Sequence, residues 1–344
     1  MSRLPSALLV LTLVGIATAA AQLSVQAGPA PTGPGPAWAS LSPVPNLSPV
    51  PPIPGFGGGV EGMSVAGVGN HIIAALGFDP FFGDTDTTRI YDISSDTWLL
   101  GSPAPGMSSE GAGVSHGGRV YSLGGRMAGA GSPPRADVWA YNPVSDGWSA
   151  RASMPTARAG LAVANVGNAI FAIGGRTGTG GPCTGGALAT VERYNIASDT
   201  WTAVASLPAP RSDLAAAVVG KNIYVFGGCN VFGTIVGDVD VYDPVKNTWS
   251  TAPADLPTAR AAMYAVANKG GTVYVIGGWD GASPGLSTNE AYKASHDLWM
   301  TGLLPMPTAR AEAGAVGHGG RIYIAGGGTP GFGLSVDALE AFKP

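Results

Sequence analysis

Glycine pairs ending short apolar runs recur along this chain at nearly fixed steps. They close the segments YSLGG (Gly124, Gly125), FAIGG (Gly174, Gly175), YVFGG (Gly227, Gly228), YVIGG (Gly277, Gly278) and YIAGG (Gly326, Gly327). A degenerate copy, IAALG, puts Leu76 and Gly77 in the same place, and from Leu76 onward the steps are 48, 50, 53, 50 and 49 residues. Six repeated units of this length cannot each bury a core alone. They must stack or close on one another. The 54 glycines and 29 prolines, about 24 % of the 344 residues, would signal low complexity if they had no period. Here they punctuate a repeat.

Two further landmarks keep step. An aromatic residue ends a later run in each unit: Tyr91, Tyr141, Tyr194, Tyr242, Tyr292 and Phe342. Seven residues after each tyrosine stands a tryptophan: Trp98, Trp148, Trp201, Trp249 and Trp299. Proline-bearing crossovers follow: MPTAR (154–158), LPAPR (207–211), LPTAR (256–260) and MPTAR (306–310). Each unit therefore reads as four short strands, a to d. In one unit they are AGLAVANV, AIFAIGG, TVERYN and WTAVASL, separated by turn residues. No useful 3.6-residue period appears, so helix content near zero is expected. Short strands in a fifty-residue repeat predict an all-β propeller of six blades, each of four antiparallel strands.

The glycine pair, the tyrosine and the tryptophan at these spacings resemble the kelch repeat, over roughly residues 36–344. The resemblance implies a kelch-type β-propeller and a ligand surface built from crossovers and loops. It implies no particular activity, since one fold hosts many functions. The first unit departs most, with LG for the glycine pair and no arginine at its crossover.

The last unit stops after VDALEAFKP, with no tryptophan and no fourth strand. Near the other end, AWASLSPVP carries Trp38 and resembles TWTAVASLPAP. Residues 37–42 are expected to supply strand d of the sixth blade and close the ring. Upstream, Arg3, the apolar run Leu8–Ile16 and the small residues ATAAA read as a secretory signal over 1–21, too short for a membrane span. A Pro/Gly-rich leader over 22–35 precedes a single propeller domain over 36–344. The expectation is a secreted or periplasmic monomer without a membrane span.

In such a ring the b–c loops and d–a crossovers share one face, and the a–b and c–d turns share the other. The b–c loops are the long, irregular ones, so their face is the expected binding surface. Arg158, Arg211, Arg260 and Arg310 repeat at the crossover, and Asp213 and Glu312 follow two residues later, with Glu110 in the same slot. Arg126 and Arg176 come directly after glycine pairs, and Trp279, Asp280 and Phe78 join them in the loops. Aromatic, guanidinium and carboxylate groups together suit an anionic sugar or an acidic peptide. The repeated arginines have a structural alternative: pairing with acids and capping backbone carbonyls.

Cys183 and Cys229 fall in neighbouring loops on that face. An even cysteine count in an exported chain favours a disulfide, against two buried thiols. His71, His116, His296 and His318 map to the opposite face, so neither a metal site nor any other cofactor is expected. Copper-radical sugar oxidases resemble this propeller type, but they need histidine ligands on the loop face. A formal charge of −4 excludes a basic nucleic-acid footprint. The leading expectation is non-enzymatic binding of a protein or glycan. The alternatives are a periplasmic sugar mutarotase or epimerase of the sialic-acid type, with Glu110, Asp213 or Glu312 as acid/base, and a structural module in surface assembly.

Overall fold

The computed structural model describes residues 35–45, 59–80, 83–127, 132–250, 253–329 and 334–344. Residues 1–21, read above as a signal, nearly all of the leader, Phe81 and Phe82 lie outside the described residues. Six four-stranded antiparallel sheets form the molecule, and no helix occurs among the described residues. The innermost strands are Ser64–Val68, Ala112–His116, Ala162–Val166, Ala215–Val219, Tyr264–Ala267 and Gly314–His318. Each touches the next, and the sixth touches the first, which closes a ring of six blades.

The sixth blade takes its outer strand from the other end of the chain. Ala37–Leu41 pairs antiparallel with Leu339–Lys343, from Ala37 opposite Lys343 to Leu41 opposite Leu339. Trp38 stacks on Phe342 with ring centroids 4.9 Å apart, as Trp201 does on Tyr194 at 5.0 Å.

The tyrosine–tryptophan spacing now has a cause. Each indole N–H donates to a carbonyl just beyond strand d of the preceding blade. The pairs are Trp148 to Ser102 (3.1 Å), Trp201 to Ala152 (2.7 Å), Trp249 to Ala205 (2.8 Å) and Trp299 to Ala254 (2.9 Å). Trp38 completes the series to Leu304 (3.1 Å), and Trp98 closes it to Ser42 (2.9 Å). The c–d turn adds a second tie. Asp146 accepts from the Tyr141 hydroxyl of its own blade (2.6 Å) and from Ser102 N of the preceding one (2.7 Å). Asp96, Asp199, Asn247 and Asp297 repeat this double acceptance. The sixth blade has no c–d turn, hence no such acceptor, and Phe342 stands where a tyrosine hydroxyl would have no partner.

Between blades the core is apolar. Tyr121, Leu123 and Met154 meet Ile170, Ala172 and Tyr194, for example. Strands a begin later than the sequence pattern implies, at Ala162 rather than Ala159 or Gly160 in the third blade. The reason is a left-handed residue at the entry to each strand a, here Gly160 with φ 57°. Two short ribbons, Phe78–Asp79 with Gly83–Asp84 and Gly328–Thr329 with Leu334–Ser335, extend the loop face.

Replacing Trp38 with Ala removes a half-buried indole, a ring stack and an inter-blade hydrogen bond, so it should cost about 2–4 kcal/mol. Chemical denaturation checks this, and an unchanged midpoint would refute the closing role. Trp38→Phe, which keeps the stack and loses the donor, should fall between the two.

Candidate functional site: an axial cup on the long-loop face

At the loop-face end of the axis, one residue from each blade adopts a left-handed conformation. These are Gly62, Glu110, Gly160, Asp213, Ala262 and Glu312, with φ of 64°, 57°, 57°, 54°, 50° and 54°. Their backbones close a circuit of six hydrogen bonds. Gly62 N donates to Glu312 O (2.7 Å), Glu110 N to Gly62 O (3.0 Å) and Gly160 N to Glu110 O (2.9 Å). Asp213 N donates to Gly160 O (2.7 Å), Ala262 N to Asp213 O (2.7 Å) and Glu312 N to Ala262 O (3.1 Å). Small residues alternate with acids around this hub. The alternation is steric at Gly160, where a Cβ would collide with Arg176 Nη1 and Asp213 Oδ1.

The acids of the hub surround a cup of about 110 Å³, lined also by Met63, Met263 and Tyr264. A second hollow of about 100 Å³ adjoins it through Gly62, Glu110 and Glu312, walled by Glu61, Phe78 and Arg126. Arg176, fully buried, bridges Glu110 and Asp213. Burial opposes its charge, but Asp213 and Glu110 outweigh that and raise its pKa. Arg126 holds the other oxygen of Glu110 at 2.7 Å.

Glu312 has no such partner. It faces both hollows, and its Oε1 is buried without a hydrogen bond. Burial, reinforced by Glu61, Glu110 and Asp213, holds this carboxyl well above the usual range, with Arg176 opposing. Burial and then Glu110 push Glu61 up to about 7, with the Ser335 hydroxyl pulling the other way.

The crossover arginines are elsewhere. Arg158, Arg211, Arg260 and Arg310 are fully buried inside their own blades. They pair with Glu192, Asp240, Glu290 and Glu340 on strand c, the last two at 2.6 Å, and they cap backbone carbonyls such as Gly174 O, Gly227 O, Val275 O and Ile324 O. The threonine of PTAR donates to the same glutamate at 2.7–2.8 Å, from Thr156, Thr258 and Thr308. The blade with Ala209 in that place has the shorter Asp240. The expectation that these arginines offer charge to a ligand is thus corrected: their long side chains turn inward from the crossover and reach strand c, which supplies the acid. An acid–base pair between an axial acid and Arg211, Arg260 or Arg310 falls with it.

Asp280 is likewise committed to its own loop. It accepts from Ala282 N (3.0 Å) and Ser283 N (2.8 Å), which together lower its pKa. Trp279 is half-buried at the mouth position of its blade and is bridged through its backbone to Ala261. Phe78 and Arg126 do reach the hollows, and Glu110, Asp213 and Glu312 converge at the hub. Glu61 and Tyr264 are the residues that sequence reasoning missed. Glu61 sits one residue before the hub slot, and aligning VEG of the degenerate unit with SSE, RAG and RSD exposes it.

Cys183 and Cys229 form a disulfide between the third and fourth blades, with Cα atoms 5.3 Å apart. It spans 46 residues, worth about 4 kcal/mol in the chain-entropy view. Asp213 Oδ2 accepts from Cys183 N (2.9 Å), which ties this loop to the hub. On the opposite face His71 lies 3.5 Å from Asp92, and His116 Nδ1 lies 3.1 Å from Asn165 Nδ2.

Two measurable consequences follow from this charge arrangement. Arg260→Ala strands the buried Glu290 and should destabilise by about 3–5 kcal/mol in thermal or denaturant unfolding. The pH dependence has a definite sign. Glu61 and Glu312 have raised folded pKa values, so the stability carried by their neutral forms is complete below about 4.5 and is lost as pH rises through the folded pKa, about 7 for Glu61. Asp146, Asp199 and Asp297, held low by their Tyr and backbone donors, titrate below that window. The melting temperature should fall from pH 5 to pH 8, and Glu312→Gln should flatten the fall and raise stability at pH 8.

Comparison with known proteins places this geometry. Residues 110–328 match the model of the KLHDC2/KLHL20/DRC7 Kelch-repeats domain. Kelch-like protein 25 of Xenopus tropicalis is 30% identical over 185 residues, which are 52% of this chain and 30% of that protein. Kelch-like protein 23 of Homo sapiens is 30% identical over 164 residues, 48% of this chain and 27% of that protein. The matches span about a third or less of those relatives. A solved structure titled "Structure of YjhT" superposes with a TM-score of 0.69 at 14% identity, over 86% of this chain and 95% of that one, which speaks to the fold alone. With six blades, the repeated landmarks and a family match over most of the ring, the chain belongs to the kelch-repeat β-propeller family.

Proposed function

We propose that this is an exported kelch-propeller binding protein that engages a protein or glycan through its long-loop face, with the axial cup at the centre. One observation carries the reading: this face combines the acidic cup with an exposed aromatic ring. Phe232 is 88% exposed, and Val231, Met107 and Met127 are exposed on the same end of the blades, whereas Val144 and Val245 on the other face are single residues in separate c–d turns. Large apolar side chains left in water around a polar cup mark a contact surface. Kelch propellers are typically protein-interaction modules, which favours a protein partner. Export is supported by the N-terminal apolar run and by the disulfide.

A second reading, a sugar mutarotase or epimerase, draws on Glu61 and Glu312. A carboxyl pushed up to about 7, Glu61, beside a second held well above the usual range, Glu312, suits general acid–base work in one hollow. A glycan array and a displayed peptide library, each probed with the wild type and with Phe232→Asp, test the first reading. Binders lost on Phe232→Asp support it, and binders indifferent to every loop-face substitution refute it. Accelerated anomeric exchange in an NMR assay, abolished by Glu312→Gln, would replace it with the second.

A further inference from the structure

We infer that the axial cup is an anchor for a single primary ammonium group, a lysine Nζ presented by a protein partner and entering along the propeller axis. This rests on the loop face being the binding face and names what its centre recognises. The charge count comes first. Glu61, Glu110, Asp213 and Glu312 surround the joined hollows, against two guanidinium groups, Arg126 and Arg176. Both guanidiniums are consumed by Glu110 and Asp213. Two carboxyls remain without a cation, and an anionic ligand would meet no free positive charge there.

The second observation is the state of Glu312. Its Oε1 is cut off from solvent and receives no hydrogen bond, in a family of sheets whose other buried carboxylates are paired. A buried acceptor left empty is costly, and a charge-assisted donor entering the cup would satisfy it. That burial also favours the neutral acid in the empty cup, and a cation restores the carboxylate by displacing the proton.

Geometry selects the kind of cation. Among the described residues the only three ligand atoms of His, Cys, Asp or Glu within 4.8 Å of one another belong to Cys183, Asp213 and Cys229, whose sulfurs form the disulfide. The oxygens of Glu61, Glu110 and Glu312 therefore spread too widely for three of them to bind one calcium ion at about 2.3–2.6 Å. An ammonium group needs no third carboxylate: two oxygens on different blades supply the charge, and water or a backbone carbonyl can accept from its remaining N–H. Its divergent donors suit single oxygens from separate blades, whereas a planar guanidinium fork matches one carboxylate edge-on. Phe78 and the thioethers of Met63 and Met263 supply apolar wall for the methylene stem.

The test uses the full chain with 13C-methyl methionine, whose Met63 and Met263 signals report on the cup. The probes are the peptide acetyl-Gly-Lys-Gly-amide and its Nε-acetyl-lysine twin. The lysine peptide should shift both methyl signals, with at least tenfold tighter binding than the twin and about tenfold weakening in Glu312→Gln. Affinity should fall from pH 8 to pH 5 as Glu61 and Glu312 take up protons, with Glu110, Asp213, Arg126, Arg176, Tyr264 and Arg310 as the other charged or titratable groups facing them. Glu312→Gln exchanges a protonated acid for an amide of the same shape, so it remains folded, and its melting temperature verifies that. Equal binding of the two peptides, no shift at either methionine, or indifference to Glu312→Gln overturns the inference. A loop-face binder identified by the array or library while the lysine peptide fails would sink the ammonium anchor alone.

Discussion

Antiparallel pairing of Ala37–Leu41 with Leu339–Lys343 carries the molecule's integrity. Without it the sixth blade lacks its outer strand, and an open edge faces solvent. With it, two circuits of hydrogen bonds close at once. At the rim, six indole donors reach one blade backward, and Trp38 and Trp98 span the junction. At the hub, six left-handed residues pass a hydrogen bond from blade to blade, and Gly62 takes up the carbonyl of Glu312. Rim and hub together fix the angle between blades, so the cup has a set diameter before any ligand arrives. A preformed site loses less entropy on binding.

The placement of charge follows from the same closure. Blades three to six each bury an arginine and an acid as a hydrogen-bonded unit between crossover and strand c. The first two blades do without: Val60 and Ser108 stand at the crossover position, with Arg89 and Trp139 opposite. Arg89 there donates to Pro45 O at 3.2 Å, and burial lowers its pKa to about 10 despite Asp79. The second blade loses both partners, while the first keeps a buried cation supported by Asp79 in place of the pair. The axial acids are the exception to this economy, since they outnumber their cations.

The fold was legible because its determinants are periodic. Glycine pairs, Tyr, Trp and the crossover proline recur in step, and Trp38 was recognisable as the missing sixth member. That Glu110, Asp213 and Glu312 share one slot on the loop face was legible for the same reason; that the slot lies on the axis emerged only with the ring of left-handed residues. What each arginine faces was not legible. Arg158 ends a crossover and Arg176 follows a glycine pair, yet neither context tells that one folds into its blade toward Glu192 and the other toward the hub. That choice depends on which acid lies across a sheet or a blade boundary, which spacing along one chain does not encode. Glu61 was hidden because its unit departs from the repeat.

The pairing that closes the ring joins residues about three hundred positions apart. The first of these strands leaves the ribosome long before its partner does. Five blades can zip along the nascent chain by nearest-neighbour contacts, while the hub circuit stays interrupted at Gly62 and Glu312. Non-local closure is slow. The junction is therefore a seam: the stacked blades can form without it, but only its closing makes the torus continuous.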